Sequence, residues 1–147
     1  MTGQYRWNII GIIVLLSASL PATAQAQSYV DPVWTYLQNQ YETASELNYS
    51  SLNYVIGKVN DGETDSWNFY LYAGTNYLFA AVCDNDCSDI DLILENERGE
   101  EILSDTETDD TPVIMFNPGI SGTYTITVEM YECSVNPCYY GIGLFYQ

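Results

Sequence analysis

Histidine is absent from this sequence and basic residues are nearly so: the 147 residues include three lysines and arginines and no histidine. Without histidine, the Ser-His-Asp and Cys-His arrangements of hydrolases and imidazole-bound metals are excluded. The two D-[ST]-G loops of an aspartic protease and a glycine-rich phosphate loop are also missing. These absences argue against an enzyme, and we expect a non-catalytic protein.

The charge of the chain is strongly acidic. Twenty aspartates and glutamates give a formal net charge of −17. Twelve of these acids lie between Asp84 and Asp110, where Arg98 is the only base. Nucleic acid and anionic membrane surfaces would repel such a protein, so we exclude both as partners.

The first 26 residues have the pattern of an export signal. Arg6 supplies the positive start, and the apolar run from Trp7 to Leu20 is too short for a comfortable membrane span. Two small-x-small sites follow, and we predict cleavage after Ala26. The mature chain would start at Gln27, with 20 acids against 2 bases and a formal charge of −18. We expect a periplasmic or extracellular protein without membrane contact after cleavage; the alternative is an uncleaved N-terminal anchor.

All four cysteines follow this leader, in two close pairs. Cys83 is near Cys87, and Cys133 is near Cys138. An even number of cysteines in a small exported domain indicates disulfides, although four cysteines allow three connectivities. We favour the two local pairs, with 134–137 as a hairpin loop that sets Cys133 opposite Cys138. A four-thiolate zinc site is the less favoured alternative, because neither spacing is C-x-x-C and an oxidising compartment removes thiolates.

Alternation with a period of two predicts the fold. In the stretch from Thr123 to Met130, the apolar residues at 124, 126, 128 and 130 share one face and polar residues share the other. Several such strands with turns between them predict an all-β protein, an antiparallel, jelly-roll-like β-sandwich of about eight strands. The predicted strands are Leu52–Val59, Asp65–Tyr72, Asn76–Cys83, Ile90–Glu95, Glu101–Ser104, Val113–Asn117, Gly122–Tyr131 and Cys138–Tyr146.

From Leu52 to Tyr146 the chain resembles the bacterial pre-peptidase C-terminal (PPC) domain. The resemblance rests on D-x-W-x-F-x-L followed by A-G, on D-x-D-L-x-L with a glycine five positions on, and on S-G-T-Y-T-I-T-V. The motif residues are Trp67, Phe69, Gly74, Leu92, Leu94, Gly99, Gly122 and Tyr124. The family implies a small exported sandwich that normally follows a catalytic module. Here only a helix precedes it, which favours a stand-alone accessory role.

That helix is predicted from Asp31 and Pro32, a capping residue followed by a proline suited to a first turn. Val33, Leu37 and Tyr41 then recur at helical spacing, which predicts a short amphipathic helix of roughly four turns. We expect it to dock on the sandwich and cover an edge or an open end; the alternative is a segment that binds a partner or promotes self-association. The predicted division is a signal peptide (1–26), a helix with linker (27–50) and a sandwich domain (51–147).

Four aspartates in eight residues make up a candidate calcium site: Asp84, Asp86, Asp89 and Asp91. A helix-loop-helix calcium loop starting at Asp84 is rejected, because its sixth position is Asp89 instead of glycine and the following residues form a strand. A looser calcium site stays open, in line with calcium binding among relatives of the PPC family. The alternative is a solvated acidic surface. Calcium is the only cofactor that the sequence suggests.

These features together predict an exported, non-catalytic binding or accessory module that recognises a protein or polysaccharide partner. The alternative is a structural envelope or matrix protein that binds calcium through its acidic face. Exposed tyrosines can stack on sugar rings, although tyrosine is also a good strand former. The tyrosines expected to face outward are Tyr49, Tyr54, Tyr70, Tyr72, Tyr131 and Tyr139.

Overall fold

The computed structural model describes residues 22–147, so most of the predicted signal peptide lies outside the described residues. One helix, α1 (Ala22–Glu46), precedes eight strands. The strands are β1 (Ser50–Val59), β2 (Thr64–Leu71), β3 (Tyr77–Cys83), β4 (Cys87–Glu95), β5 (Glu101–Asp105), β6 (Val113–Phe116), β7 (Gly122–Cys133) and β8 (Cys138–Tyr146). Each predicted strand corresponds to one of these.

The strands form two four-stranded sheets. Sheet A has the order β1-β8-β3-β6, sheet B has the order β2-β7-β4-β5, and every pairing is antiparallel. Consecutive strands change sheets at every connection except β4 to β5. The predicted antiparallel β-sandwich of about eight strands is therefore confirmed.

The main core lies between the sheets and follows the alternation seen in the sequence. On β7, Tyr124, Ile126, Val128 and Met130 are buried, while the threonines between them are not. Burial of these apolar side chains, at about 25 cal/mol per Å² removed from water, is the main force holding the sheets together. The other fully buried large side chains include Leu71, Phe79, Ile90, Leu92, Leu94, Tyr140 and Ile142.

One polar network crosses this core. The hydroxyl of the fully buried Tyr140 donates to Asp65 Oδ2 at 2.6 Å and accepts from Trp67 Nε1 at 2.8 Å. Gly57 lies opposite Tyr140 on β1, and a Cβ there would come within 2.4 Å of the hydroxyl. Burial and the bond to Asp65 raise the pKa of Tyr140, so it remains a neutral donor. Trp67 is thereby fixed at its indole N–H, although 37% of the residue is exposed.

Helix α1 packs on the outer face of sheet A. Val33, Leu37 and Ala44 are its buried contacts. Gly141 on β8 makes room for them, because a Cβ there would lie 2.6 Å from Leu37 Cδ1 and 2.9 Å from Val33 Cγ1. The helix therefore covers a sheet face, and the expectation that it covers an edge or an open end is wrong.

The expected helix start at Asp31 is also wrong. Helix α1 begins at Ala22, includes Pro32 and is 25 residues long, well beyond the predicted four turns. Proline has no N–H to donate to the carbonyl four residues earlier, which weakens a helix at that point. The loss of one hydrogen bond does not end this helix, so the Asp-Pro pair was a misleading start signal.

Both disulfides join sheet A to sheet B. Cys83 ends β3 and is bonded to Cys87 at the start of β4; Cys133 ends β7 and is bonded to Cys138 at the start of β8. These are the pairs favoured by the spacing, but the expected hairpin at 134–137 is wrong, because β7 and β8 belong to different sheets. Cys87 also lies opposite Cys133 in the β4–β7 register. Both links are therefore at one end of the sandwich, which we call the cystine end.

Candidate functional site

The four aspartates of the candidate calcium site lie in two different settings. Asp84 is buried at the cystine end, where Oδ2 accepts from the backbone N–H of Tyr139 at 2.9 Å and Oδ1 accepts from that of Asp86 at 3.2 Å. It ties the end of β3 to the start of β8. Burial is the main cause that raises the pKa of Asp84, against the backbone hydrogen bonds that lower it.

Asp89 and Asp91 instead lie on β4, on the outer side of sheet B, because Ile90 and Leu92 face the core. They are nevertheless only 5% and 8% exposed. Across residues 22–147, no group of three histidine, cysteine, aspartate or glutamate side chains is placed to hold a metal ion. The arrangement of the four aspartates therefore gives the predicted calcium site no support.

The register of sheet B instead places Asp89 and Asp91 beside other acids. Asp91 lies directly opposite Glu129 on β7, and Asp89 lies opposite Glu132. The backbone N–H of Ile90 donates to the carbonyl of Asp109 at 3.0 Å, which brings the β5–β6 loop against the start of β4. We call Asp89, Asp91, Asp109, Glu129 and Glu132 the acidic patch.

The loop that supplies Asp109 is held in place by its own carboxylates. Asp105 Oδ2 accepts from the backbone N–H of Val113, and Asp109 Oδ1 accepts from that of Thr111, each at 2.8 Å. Such side-chain caps satisfy the backbone of a polar loop. They fix the loop against sheet B, so Asp109 occupies a defined place in the acidic patch.

Among residues 22–147, no base compensates the charges of the acidic patch. Burial raises the pKa of Asp89, and the carboxylates of Glu132 and Asp109 raise it further. Burial also raises the pKa of Asp91, followed by the carboxylates of Asp89, Glu129, Asp105 and Asp109. Every charged group that affects these two residues is thus another acid. Asp89 Oδ1 is also the one buried side-chain nitrogen or oxygen within the described chain that has no hydrogen-bond partner.

The two bases of the sandwich are placed elsewhere. Lys58 Nζ lies 5.9 Å from the ring centre of Tyr139, whose strand β8 belongs to sheet A. Arg98 lies in the turn between β4 and β5. Like charges directly opposite each other on paired strands destabilise a sheet. The opposed carboxylates of the acidic patch therefore cost the fold stability.

Sequence reasoning found only part of this patch. The alternation of β7 already put Glu129 on the outer face, and Asp89 and Asp91 were singled out as acids. The pairing of β4 with β7, which brings Asp91 opposite Glu129, involves residues far apart in the chain. No local signal in the sequence reports that pairing.

All four cysteines are in disulfides, and the part of the chain that the structure describes has no free cysteine. The acidic patch consists of carboxylates alone. No helix within residues 22–147 is long and apolar enough to cross a membrane.

Comparison with known proteins identifies no family for this chain. No protein-family model matches the chain, and no curated protein matches it. Among solved structures, the crystal structure of Aeromonas hydrophila PliG, a periplasmic inhibitor of g-type lysozyme, matches with a TM-score of 0.49 and 14% sequence identity. The match covers 65% of this chain and 85% of PliG. At that score and identity, the likeness supports no inference about function, and the resemblance to the PPC family stays a prediction.

Proposed function

We propose that this protein is an exported, non-catalytic module that binds a cationic protein through the acidic patch. The observation that carries the proposal is the buried, uncompensated charge of Asp89 and Asp91 beside three further acids. Lysine or arginine side chains of a partner would offset the repulsion among these carboxylates by attracting them. Export follows from the predicted leader and agrees with two disulfides.

Residues at different depths contribute differently to such binding. Glu132 is exposed and Glu129 and Asp109 are half-buried, so these three can contact a partner. Asp89 and Asp91 are only 5% and 8% exposed, so they would act on a partner through their charge more than through direct contact. A focused field of one sign steers an oppositely charged partner and speeds its association.

The test compares two double variants that remove the same charge. Asp91→Asn with Glu129→Gln neutralises the centre of the patch. Glu42→Gln with Glu46→Gln removes two exposed acids from α1, which packs on the opposite sheet. Calorimetric titrations use defined basic proteins, including cytochrome c and a g-type lysozyme. We expect at least one to bind the natural protein, with affinity that falls as salt rises.

The patch variant should weaken that binding roughly tenfold or more, whereas the helix variant should leave it nearly unchanged. Equal losses from both variants would show that net charge alone attracts these proteins. That result, or no binding by any protein of the panel, contradicts the proposal.

A further inference from the structure

The second surface of interest is a groove between α1 and the edge strand β1. Its volume is about 200 Å³. Its lining consists of Trp34, Leu37, Gln38 and Tyr41 from α1, Ser51, Asn53 and Tyr54 from β1, and Gly143 and Phe145 from β8. We call it the aromatic groove.

Three large aromatic side chains of this groove face solvent. Trp34, Tyr41 and Tyr54 are 41%, 50% and 57% exposed, and the rings of Trp34 and Tyr54 lie 5.3 Å apart at 57°. The Trp34–Tyr54 contact joins α1 to β1, but the buried contacts of the helix are Val33, Leu37 and Ala44. Much of the surface of the three aromatic rings is thus left open to solvent, and such clusters of exposed apolar surface are typical of binding sites.

The floor of the groove is kept open by a glycine. A Cβ at Gly143 would come within 2.8 Å of the ring of Phe145, which is itself buried. Glycine at position 143 therefore leaves room for the Phe145 ring, which lines the groove together with Trp34 and Tyr54. The groove is a feature of the β8 backbone as well as of the side chains around it.

The polar groups of the groove are neutral. None of its nine lining residues is charged, although the chain has 20 acids. Gln38, Ser51 and Asn53 offer amides and a hydroxyl. Asn53 Oδ1 accepts from the backbone N–H of Tyr54 at 2.9 Å, which orients the amide and leaves its NH₂ group to donate elsewhere.

We propose that the aromatic groove binds a neutral oligosaccharide. A pyranose ring has apolar C–H faces that pack on aromatic rings and hydroxyls at its edge that pair with amides. An uncharged lining suits such a ligand, because a cationic ligand would gain no ion pair here and an anionic one would meet the field of an acidic protein. A volume of about 200 Å³ fits one sugar ring, and the rest of the oligosaccharide would extend over β1.

This inference is independent of the proposed protein partner. The groove lies on the helix side of sheet A, and the acidic patch lies on the outer side of sheet B. The two surfaces are on opposite faces of the sandwich, so one molecule can occupy both at once. A protein that holds a cationic partner against a polysaccharide would use both.

The experiment titrates cellohexaose, chitohexaose and laminarihexaose into the full mature protein by calorimetry. At least one should bind, and Trp34→Ala and Tyr54→Ala should each weaken it roughly tenfold. Tyr70→Ala is the matched control: Tyr70 is 58% exposed but lies on β2 of sheet B, and its loss should leave affinity unchanged. Circular dichroism melting verifies that each variant is folded.

Two results would overturn the proposal. One is the absence of binding by all three sugars at about 1 mM, a concentration that detects even millimolar affinity. The other is dimerisation of the natural protein that Trp34→Ala abolishes, measured by light scattering, which would assign the groove to a second copy of the chain. The Asp91→Asn, Glu129→Gln variant should retain sugar binding, so the two proposals can fail separately.

Discussion

The two outer faces of this sandwich differ although the strands behind them follow the same two-residue alternation. On sheet A, the outer residues of β8 include Gly141 and Gly143, and a helix packs on them. On sheet B, the outer residues of β7 are threonines, Glu129 and Tyr131, and no helix covers them in the described chain. Small residues thus permit a second apolar layer, while polar ones leave a face open to solvent or a partner.

The difference separates two kinds of surface chemistry. Helix α1 brings aromatic and amide side chains to the edge of sheet A and forms a neutral groove. Strands β4 and β7 gather carboxylates on sheet B without a base beside them. The two proposals accordingly assign a cationic partner to the open, acidic face and a neutral sugar to the covered one.

The largest expected effect distinguishes the inner from the outer face of β7. Tyr124→Ala removes a side chain that is 9% exposed and donates a hydrogen bond to the carbonyl of Ile120 at 2.8 Å. We expect it to lower the free energy of unfolding by about 3–5 kcal/mol, measured by urea denaturation. Tyr131→Ala on the same strand is the control, since Tyr131 is 64% exposed. A loss below about 1 kcal/mol at Tyr124 would contradict the packing of this face.

The strand prediction succeeded because it depends on local alternation. In the segment Thr123 to Met130, the alternation of apolar and polar residues identifies the buried and the exposed face of the strand. Glycines in turns elsewhere in the chain mark where other strands end. Gly62, Gly74 and Gly99 all have positive φ, the conformation that turns require and that glycine adopts without strain. Fold class therefore follows from short stretches of sequence.

The second prediction disturbs the face of sheet A that α1 covers. Gly141→Ala puts a Cβ within 2.6 Å of Leu37, so α1 must shift or Leu37 must change rotamer. We expect a loss of about 1–3 kcal/mol in the free energy of unfolding and faster proteolysis of α1. Gly119→Ala is the matched control, because nothing lies within 4 Å of a Cβ at Gly119. Equal stability of the two variants would show that the helix does not rest closely on β8.

What the sequence did not predict depends on which strands become neighbours. The expected hairpin of β7 and β8 is instead a crossing between sheets, and the helix covers a face instead of an edge. Asp91 and Glu129 are 38 positions apart, and only the β4–β7 register puts them opposite each other. The pairing of strands that are distant in the sequence also leaves Asp84 at the cystine end, while Asp89 and Asp91 lie on the outer side of sheet B.

The third prediction uses pH to compare the acidic patch with the rest of the protein. The pKa values of Asp84, Asp89 and Asp91 are raised in the folded state above 3.8, with burial as the main cause. Between pH 3.8 and those raised values, the folded state binds more protons than the unfolded state, so stability falls as pH rises. Urea denaturation at about pH 4 and about pH 8 should give the larger free energy of unfolding at the lower pH.

The matching control for this pH effect is Asp91→Asn, which should reduce the slope because the asparagine does not titrate. Glu42→Gln on α1 should leave the slope nearly unchanged, since Glu42 is exposed on the helix. If the free energy of unfolding instead rises from the lower to the higher pH, favourable interactions of carboxylates in the folded state outweigh the cost of burying these aspartates.

The smallest expected effect tests whether the acidic patch is retained at a cost. Asp91→Asn with Glu129→Gln removes two like charges that face each other across β4 and β7, without removing a hydrogen bond of the fold. We expect the free energy of unfolding to rise by about 0.5 kcal/mol near neutral pH. The gain should shrink in high salt, which screens the repulsion. Glu97→Gln with Glu107→Gln changes the net charge equally at two exposed loop positions outside the strand ladders, so its gain should be smaller. A patch variant that is more stable yet binds a basic protein more weakly would show that these charges serve binding at the expense of stability; a variant that is less stable would assign them to the fold.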